Sequence, residues 1–151
     1  MKTTSRIIVV VASLFAASLA AAQEKEMTSD EVRAAVQKIC PVSGLKLGDH
    51  GDPIRAKIGE QEVFLCCKSC KNGKVKKEHW TKIHKNFATA QGICLVMEND
   101  LPKNPEWTIV NGRLFYVCCP PCIEKIEADP DAYATKLDAI YAAHVKQPDS
   151  R

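Results

Sequence analysis

The sequence of 151 residues predicts a small α+β protein made of two tandem units. Three observations indicate this class: short alternating segments typical of strands, longer segments with apolar residues at helical spacing, and a hydrophobic run ending in Cys-Cys-x-x-Cys that occurs twice. Each unit is expected to be a β-hairpin with a cysteine knuckle, followed by a helix. We expect the two units to pack as a pseudo-two-fold pair.

Residues 1–22 have the pattern of a secretory signal peptide. Lys2 and Arg6 precede an apolar run over residues 7–19, which is too short to span a bilayer. Cleavage is expected near Ala22/Gln23. The mature protein is therefore predicted to be periplasmic or secreted, soluble, and without membrane insertion after signal cleavage.

The mature chain has a nearly balanced charge. Without Lys2 and Arg6, the 21 basic residues fall to 19, against 18 acidic residues. Nucleic acid is not expected as a partner, because its binding needs a clustered basic surface. The sequence also shows no nucleophile elbow, phosphate-binding loop or H-E-x-x-H motif, so no enzymatic activity is predicted.

An N-terminal helix is predicted within residues 23–39. Thr28 and Glu31 have the spacing of a capping box, and apolar residues follow at helical spacing. We expect this helix to end at Cys40, because the residue before a proline disfavours the α conformation.

The first unit is assigned to residues 40–91. Alternating side chains predict a strand over residues 54–58, followed by a turn over residues 59–62. A second strand, residues 63–65, runs into the first vicinal cysteine pair. A helix is then expected over residues 75–90.

The second unit is assigned to residues 92–146 and repeats this order. Residues 107–110 and 114–117 are predicted strands, and Asn111-Gly112 between them is typical of a type I′ turn. Helices are expected at residues 123–128 and from Asp129 onward, and residues 147–151 should form a frayed tail. The helix aromatics expected in the core are Trp80, Phe87, Tyr133 and Tyr141.

The spacing of the cysteines indicates a tandem duplication. Cys94 follows Cys40 by 54 positions, and Cys122 follows Cys70 by 52. A hairpin end with C-x2-C spacing suits one tetrahedral metal ion, and a helix-like turn would bring the C-x3-C pairs Cys66–Cys70 and Cys118–Cys122 together equally well. The upstream cysteine is the natural third ligand. Because adjacent strand residues point to opposite faces, only one cysteine of each vicinal pair is expected to face its knuckle.

The first unit contains Cys40-Pro41-Val42-Ser43-Gly44, a glycine-rich loop, a hairpin and Cys66-Cys67-x-x-Cys70. This arrangement resembles the TRASH and YHS families of heavy-metal-binding domains, which are treble-clef-like relatives of zinc ribbons. The second unit is similar in its hairpin and in Cys118-Cys119-Pro120-Pro121-Cys122, but Leu95-Val96-Met97 follows Cys94. Together the two units cover nearly all of the mature chain.

This resemblance implies a protein that holds zinc or copper, as Zn2+ or Cu+, with one ion per repeat. It implies a role as a carrier, a buffer, or an accessory to a metal efflux or sensor component. The implied ligands are Cys40, Cys66, Cys70, Cys94, Cys118 and Cys122, with Cys67 and Cys119 as further candidates.

The fourth ligand of each site is left open by the sequence. His50 could complete the first site, but no histidine lies between Cys94 and Cys122, so this solution does not repeat. Either both vicinal cysteines bind, or each site has three thiolates, which suits Cu+ better than Zn2+. Met97 could supply a thioether to copper, although a role as loop or core filler explains it as well.

Two other functions also fit the cysteines. Eight cysteines in an exported chain are typical of a disulfide-stapled structural or interaction module, although vicinal cysteines do not readily bridge each other. Cys119 and Cys122 also have the C-x-x-C spacing of a thiol-disulfide oxidoreductase, but no βαβ pattern surrounds them.

Overall fold

The computed structural model describes residues 27–147. The predicted signal peptide and residues 148–151 of the predicted tail lie outside this range. Within it, the chain is an α+β protein with two small antiparallel hairpins and four α-helices. No helix in residues 27–147 is long and apolar enough to cross a membrane.

The predicted strands and helices are confirmed, with boundaries that differ by at most three residues. In chain order the elements are α1 (Ser29–Gln37), β1 (Ile54–Ile58), β2 (Gln61–Leu65), a 3-10 helix (Lys68–Asn72), α2 (Lys77–Gln91), β3 (Glu106–Val110), β4 (Arg113–Val117), α3 (Pro121–Ala128) and α4 (Pro130–Lys146).

The first helix begins as predicted but ends early. The capping box is present, with the Thr28 hydroxyl accepting from the Glu31 amide and the Glu31 carboxylate accepting from the Thr28 amide. The predicted end at Cys40 is wrong, because Lys38 already has a φ of 68° and Ile39 forms a β-bridge with Lys46. Formation of the knuckle therefore takes the chain out of the helix.

The two hairpins differ in their turns. β1 pairs with β2 from Ile54–Leu65 to Ile58–Gln61, so the first turn is shorter than predicted. β3 pairs with β4 around Asn111-Gly112, where φ is 51° and 78°. Positive φ at both positions is what a type I′ turn requires, and this prediction is confirmed.

The main core lies between the helices and the second hairpin. α1 packs against α2 and α4, and α2 also packs against α4. The rings of Phe87 and Tyr141 are buried with their centroids 5.7 Å apart, as their prediction as core residues requires. Trp80 and Tyr133 are only half-buried, so the helix faces that carry them reach the surface.

Polar contacts join the two halves of the chain. The Glu62 amide donates to the Gly112 carbonyl at 2.8 Å. The buried Arg33 side chain in α1 donates to the Glu62 carboxylate at 3.0 Å and lies over the Phe64 ring. Further along, Arg113 pairs with a carboxylate of α4 at Asp138. These contacts connect the two hairpins to each other, the first hairpin to α1 and the second hairpin to α4.

A buried glutamine makes the same hydrogen bonds in each half. Gln37 Nε2 donates to the carbonyls of Ile39 and Phe64 at 2.9 and 2.7 Å, and its Oε1 accepts the Phe64 amide at 2.8 Å. Gln91 Nε2 donates to the residue two positions later at 2.8 Å and to the Tyr116 carbonyl at 2.6 Å. Its Oε1 accepts the Tyr116 amide at 2.9 Å. Each glutamine thus joins a helix end to the strand that leads into a vicinal cysteine pair.

Replacement of Gln91 by Ala should lower the free energy of unfolding by about 2 kcal/mol or more, because the buried amide and carbonyl of Tyr116 lose their partners. The matched control is Thr89→Ala, an exposed position on the same helix, which should change stability by less than about 0.5 kcal/mol. Urea unfolding measures both. Equal effects of the two substitutions would contradict a structural role for Gln91.

Candidate metal centres

Each upstream cysteine begins a short knuckle whose backbone is closed by two hydrogen bonds. The Cys40 amide donates to the Leu45 carbonyl at 2.8 Å, and the Cys40 carbonyl accepts from Gly44 at 2.9 Å. Cys94 makes the corresponding bonds with residues 98–99, both at 2.8 Å. The two knuckles are thus equivalent, although their sequences share little beyond the cysteine.

The first knuckle needs a glycine at position 44. Gly44 has a φ of 77°, which side chains rarely allow. A Cβ there would also lie 2.5 Å from Nε2 of His79, in the first turns of α2. The glycine therefore lets α2 pack directly against the knuckle.

The remaining sulfur atoms come from the turn after each hairpin. In the first half, the Cys70 amide donates to the Cys67 carbonyl at 3.2 Å. In the second half, the Cys122 amide donates to the Cys119 carbonyl at 3.1 Å. These turns fold Cys70 and Cys122 back toward the vicinal pairs.

The sulfur atoms of the three cysteines after the first hairpin form a nearly equilateral triangle. The Sγ atoms of Cys66 and Cys67 are 3.8 Å apart, and they lie 3.7 and 3.6 Å from the Sγ of Cys70. A tetrahedral zinc site with Zn–S bonds of about 2.3 Å has S···S edges of about 3.8 Å. The triangle therefore has the size of one face of such a tetrahedron.

The sulfur atoms of the three cysteines after the second hairpin form a similar but less regular triangle. The Sγ of Cys118 is 3.7 Å from that of Cys119 and 3.9 Å from that of Cys122. The Cys119 and Cys122 sulfur atoms are only 3.3 Å apart. All eight cysteines are free thiols.

The upstream cysteines complete two groups that could each hold a metal ion. In each group, all three Sγ atoms lie within 4.8 Å of one another. The first group is Cys40, Cys66 and Cys70, and the second is Cys94, Cys118 and Cys122. We call these groups, each with its neighbouring vicinal cysteine, the first and second cysteine clusters.

Both cysteines of each vicinal pair have their sulfur atom near that of the third cysteine, Cys70 or Cys122. Cys67 and Cys119 lie outside the groups of three, but their Sγ atoms are 3.6 and 3.3 Å from those of Cys70 and Cys122. The expectation that one member would face elsewhere is wrong. Strand geometry ends before the pair, since β2 stops at Leu65.

The other candidate ligands are not brought to the clusters. His50 is exposed, and Met97 is 60% exposed. His79 and His84 are half-buried on α2, and like His50 they belong to neither group of three. The donor sets of the described residues are therefore sulfur alone.

Hydrogen bonds stabilise Cys40 as a thiolate. Burial raises the pKa of its thiol, but the Ser43 hydroxyl and the amides of Ser43, Cys66 and Val42 outweigh this effect and lower the pKa to about 6. The pKa of Cys94 is also lowered, since the amides of Cys118 and residues 96–97 outweigh its burial. Cys40 is thus preorganised as a thiolate, and the thiol of Cys94 ionises more readily than an ordinary cysteine.

Cys70 and Cys122 are both held as neutral thiols. Burial and neighbouring sulfur atoms raise the pKa of Cys70 to about 12, and the same causes raise that of Cys122. The pKa of Cys66 is raised as well: hydrogen bonds with Ser43 and Cys70 lower it, but burial and the thiols of Cys40 and Cys67 outweigh them. A bound cation would favour ionisation of these thiols and so displace their protons.

The clusters open to solvent on the side of the vicinal pair. Cys40 and Cys94 are wholly buried, and Cys70 and Cys122 are buried as well. Cys67 and Cys119 are half-buried. An ion could therefore enter past Cys67 or Cys119 without opening of the core.

One groove of the surface is separate from both clusters. It is a groove of about 830 Å³ between α1, β1 and the loop after the first knuckle, with Ala34, Leu47 and Phe64 in its apolar lining. No cysteine lines it. The chemistry of the cysteines therefore cannot be assigned to this groove.

Sequence reasoning missed the two glutamines that position the clusters. Gln37 and Gln91 are both wholly buried, although a polar residue at a helix end is normally exposed. Their spacing of 54 residues equals that of Cys40 and Cys94, and this shared offset was the available signal.

Comparisons with protein-family models, with curated proteins and with solved structures found no match to this chain. The resemblance to TRASH and YHS domains therefore stays a prediction, and the geometry of the two clusters is the available indication of function.

Proposed function

We propose that this protein binds one thiophilic metal ion, Zn2+ or Cu+, in each cysteine cluster. The supporting observation is that each half brings three cysteine sulfur atoms within 4.8 Å of one another. The role we propose is that of an exported carrier, buffer, or accessory to a metal efflux or sensor component, without enzymatic activity. Export rests on the signal-peptide pattern of residues 1–22.

We include Cys67 and Cys119 as the fourth ligands. The edges of the Cys66–Cys67–Cys70 triangle, 3.6–3.8 Å, match a tetrahedral face, and Cys40 lies on the buried side of the same cluster. Four thiolates favour Zn2+, whereas Cu+ would bind three thiolates and leave the half-buried cysteine free. The metal can therefore be distinguished by the behaviour of the vicinal cysteine.

The proposal includes two structurally equivalent units packed as a pseudo-two-fold pair. Its support is the recurrence of the glutamine bonds and of the knuckle bonds in both halves. The shared backbone pattern explains why each half positions its cysteines in the same way.

Thiol-disulfide exchange through Cys119 and Cys122 is the second candidate function. It is favoured by their Sγ separation of 3.3 Å and by the position of Cys122 in the first turn of α3. The raised pKa of Cys122 argues against a reactive thiolate at that atom. A disulfide-stapled module remains the alternative for a protein isolated from an oxidising compartment.

Isolated without oxidation, the protein should carry about two metal ions per chain. Cys70→Ser and Cys122→Ser should each remove one ion, and the double variant both. Elemental analysis and native mass spectrometry, with and without thiol alkylation, measure this. Four intact disulfides without metal would overturn the proposal, and a single labile Cys119–Cys122 bridge without metal would support the redox function.

The role of the vicinal cysteine is tested by Cys67→Ser, with Ser69→Ala in the same turn as the matched control. If Cys67 is a ligand, its loss should weaken zinc binding by more than the 10–100-fold typical of an outer-shell partner. The control should leave affinity unchanged. Competition with a chelator gives the affinity, and Co2+ spectra report the number of thiolates. An unchanged Co2+ spectrum in Cys67→Ser would exclude the four-thiolate site.

Metal affinity should fall as the pH falls. The pKa values of Cys66 and Cys70 are raised, so both are protonated at neutral pH and must lose their protons to bind as thiolates. Where Cys40 and Cys67 are already ionised, the apparent log K of the first cluster should therefore fall by about two for each unit of pH, and it should fall more steeply where they too are protonated. Chelator competition between pH 6.5 and 8, corrected for the chelator's own protonation, measures the slope. A pH-independent affinity would show that these thiols do not bind as thiolates.

A further inference from the structure

A second cavity, of about 490 Å³, opens beside the first cluster, and we call it the Cys70 cleft. Cys70 lies in its wall, and Val42, Leu65 and Val75 are among its apolar lining residues. Lys57 and Lys71 are exposed and line the same cleft. The cleft therefore combines a metal-binding sulfur atom with two cationic side chains.

At the second cluster the corresponding position is filled. The residues that correspond to Lys57 and Lys71, 52 positions later, are Ile109 and Ile123. Both isoleucines pack against the main core, where α3 lies on β3. In the first half, a short 3-10 helix stands in place of α3 and leaves the cleft open.

The two lysines are free to bind an anion. Among residues 27–147, neither Lys57 nor Lys71 forms an ion pair, whereas Arg55 at the same cleft is paired with Asp30. The positive charge of the neighbouring residues also favours an anion, because residues 68–77 contain five lysines and no acidic residue. The corresponding residues 120–129 contain three acidic residues and one lysine. The surroundings of the two clusters are thus opposite in charge.

We propose that the Cys70 cleft binds small anionic metal complexes, in which carboxylates hold the ion, and passes the ion to the first cluster. This inference rests on the proposed metal-binding function. The carboxylates pair with Lys57 and Lys71, which places the ion at Cys70. A metal–sulfur bond then forms as a metal–oxygen bond breaks, and the Cys70 thiol proton leaves to water.

Metal uptake by the full mature chain, reduced and metal-free, tests the cleft. The probes are the anionic cobalt–nitrilotriacetate complex and the neutral cobalt–iminodiacetate complex. Thiolate-to-cobalt charge-transfer absorbance in stopped flow gives the rate for each. The quantity compared is the ratio of the anionic rate to the neutral rate. Cys94→Ser/Cys122→Ser isolates the first cluster, and Cys40→Ser/Cys70→Ser isolates the second.

The rate ratio should be about tenfold higher at the first cluster than at the second, and the difference should shrink at high salt. Lys57→Gln/Lys71→Gln should remove this preference. Lys74→Gln/Lys77→Gln, which removes the same charge outside the cleft, should leave the ratio within about twofold. Both lysine pairs are also compared in the chain with all eight cysteines, so the result does not depend on the cysteine variants.

Equal rate ratios at the two clusters would overturn the cleft as the binding site. An equal fall of the rate ratio in the two double-lysine variants would overturn it as well. Neither result would contradict metal binding itself. Equilibrium titration with free Co2+ separates the two proposals. If no thiolate-bound cobalt forms at either cluster, the proposed function fails and this inference fails with it.

Discussion

The structure depends on the hydrogen bonds of one buried amide in each half of the chain. Gln37 pairs with both backbone groups of Phe64 and also holds the carbonyl just before Cys40. Cys66 follows Phe64 by two positions, so the same side chain sets the distance between the two cysteines. Since a buried amide group without partners is costly, this geometry is strongly favoured over a shifted strand.

The clusters contribute differently to the folding of the two halves. The small core around the first cluster consists of Leu65 with three cysteines, Cys40, Cys66 and Cys70. The second cluster adjoins the main core, which includes Phe115 and residues of all four α-helices. A metal ion would therefore contribute more to the stability of the first half, where few apolar side chains are buried.

Local patterns in the sequence were sufficient for the hairpins, the capping box and the grouping of the cysteines. Alternation defines β1, and Asn111-Gly112 defines the second turn, because both follow from backbone preferences of neighbouring residues. The end of α1 and the direction of Cys67 could not be predicted, since they depend on a bridge to Lys46 and on a turn beyond β2. Neither a single bridge nor a short 3-10 turn produces a periodic pattern in the sequence.

α2 belongs to both halves at once: His79 near its beginning lies against the first knuckle, and Gln91 at its end fastens the second hairpin. The two halves of the chain therefore interlock through a common helix. At the position in α4 that corresponds to Gln91, the chain has Val145. A valine side chain cannot form hydrogen bonds to a strand's backbone. The helix α4 can therefore cover the second unit but cannot fasten a hairpin as α1 and α2 do.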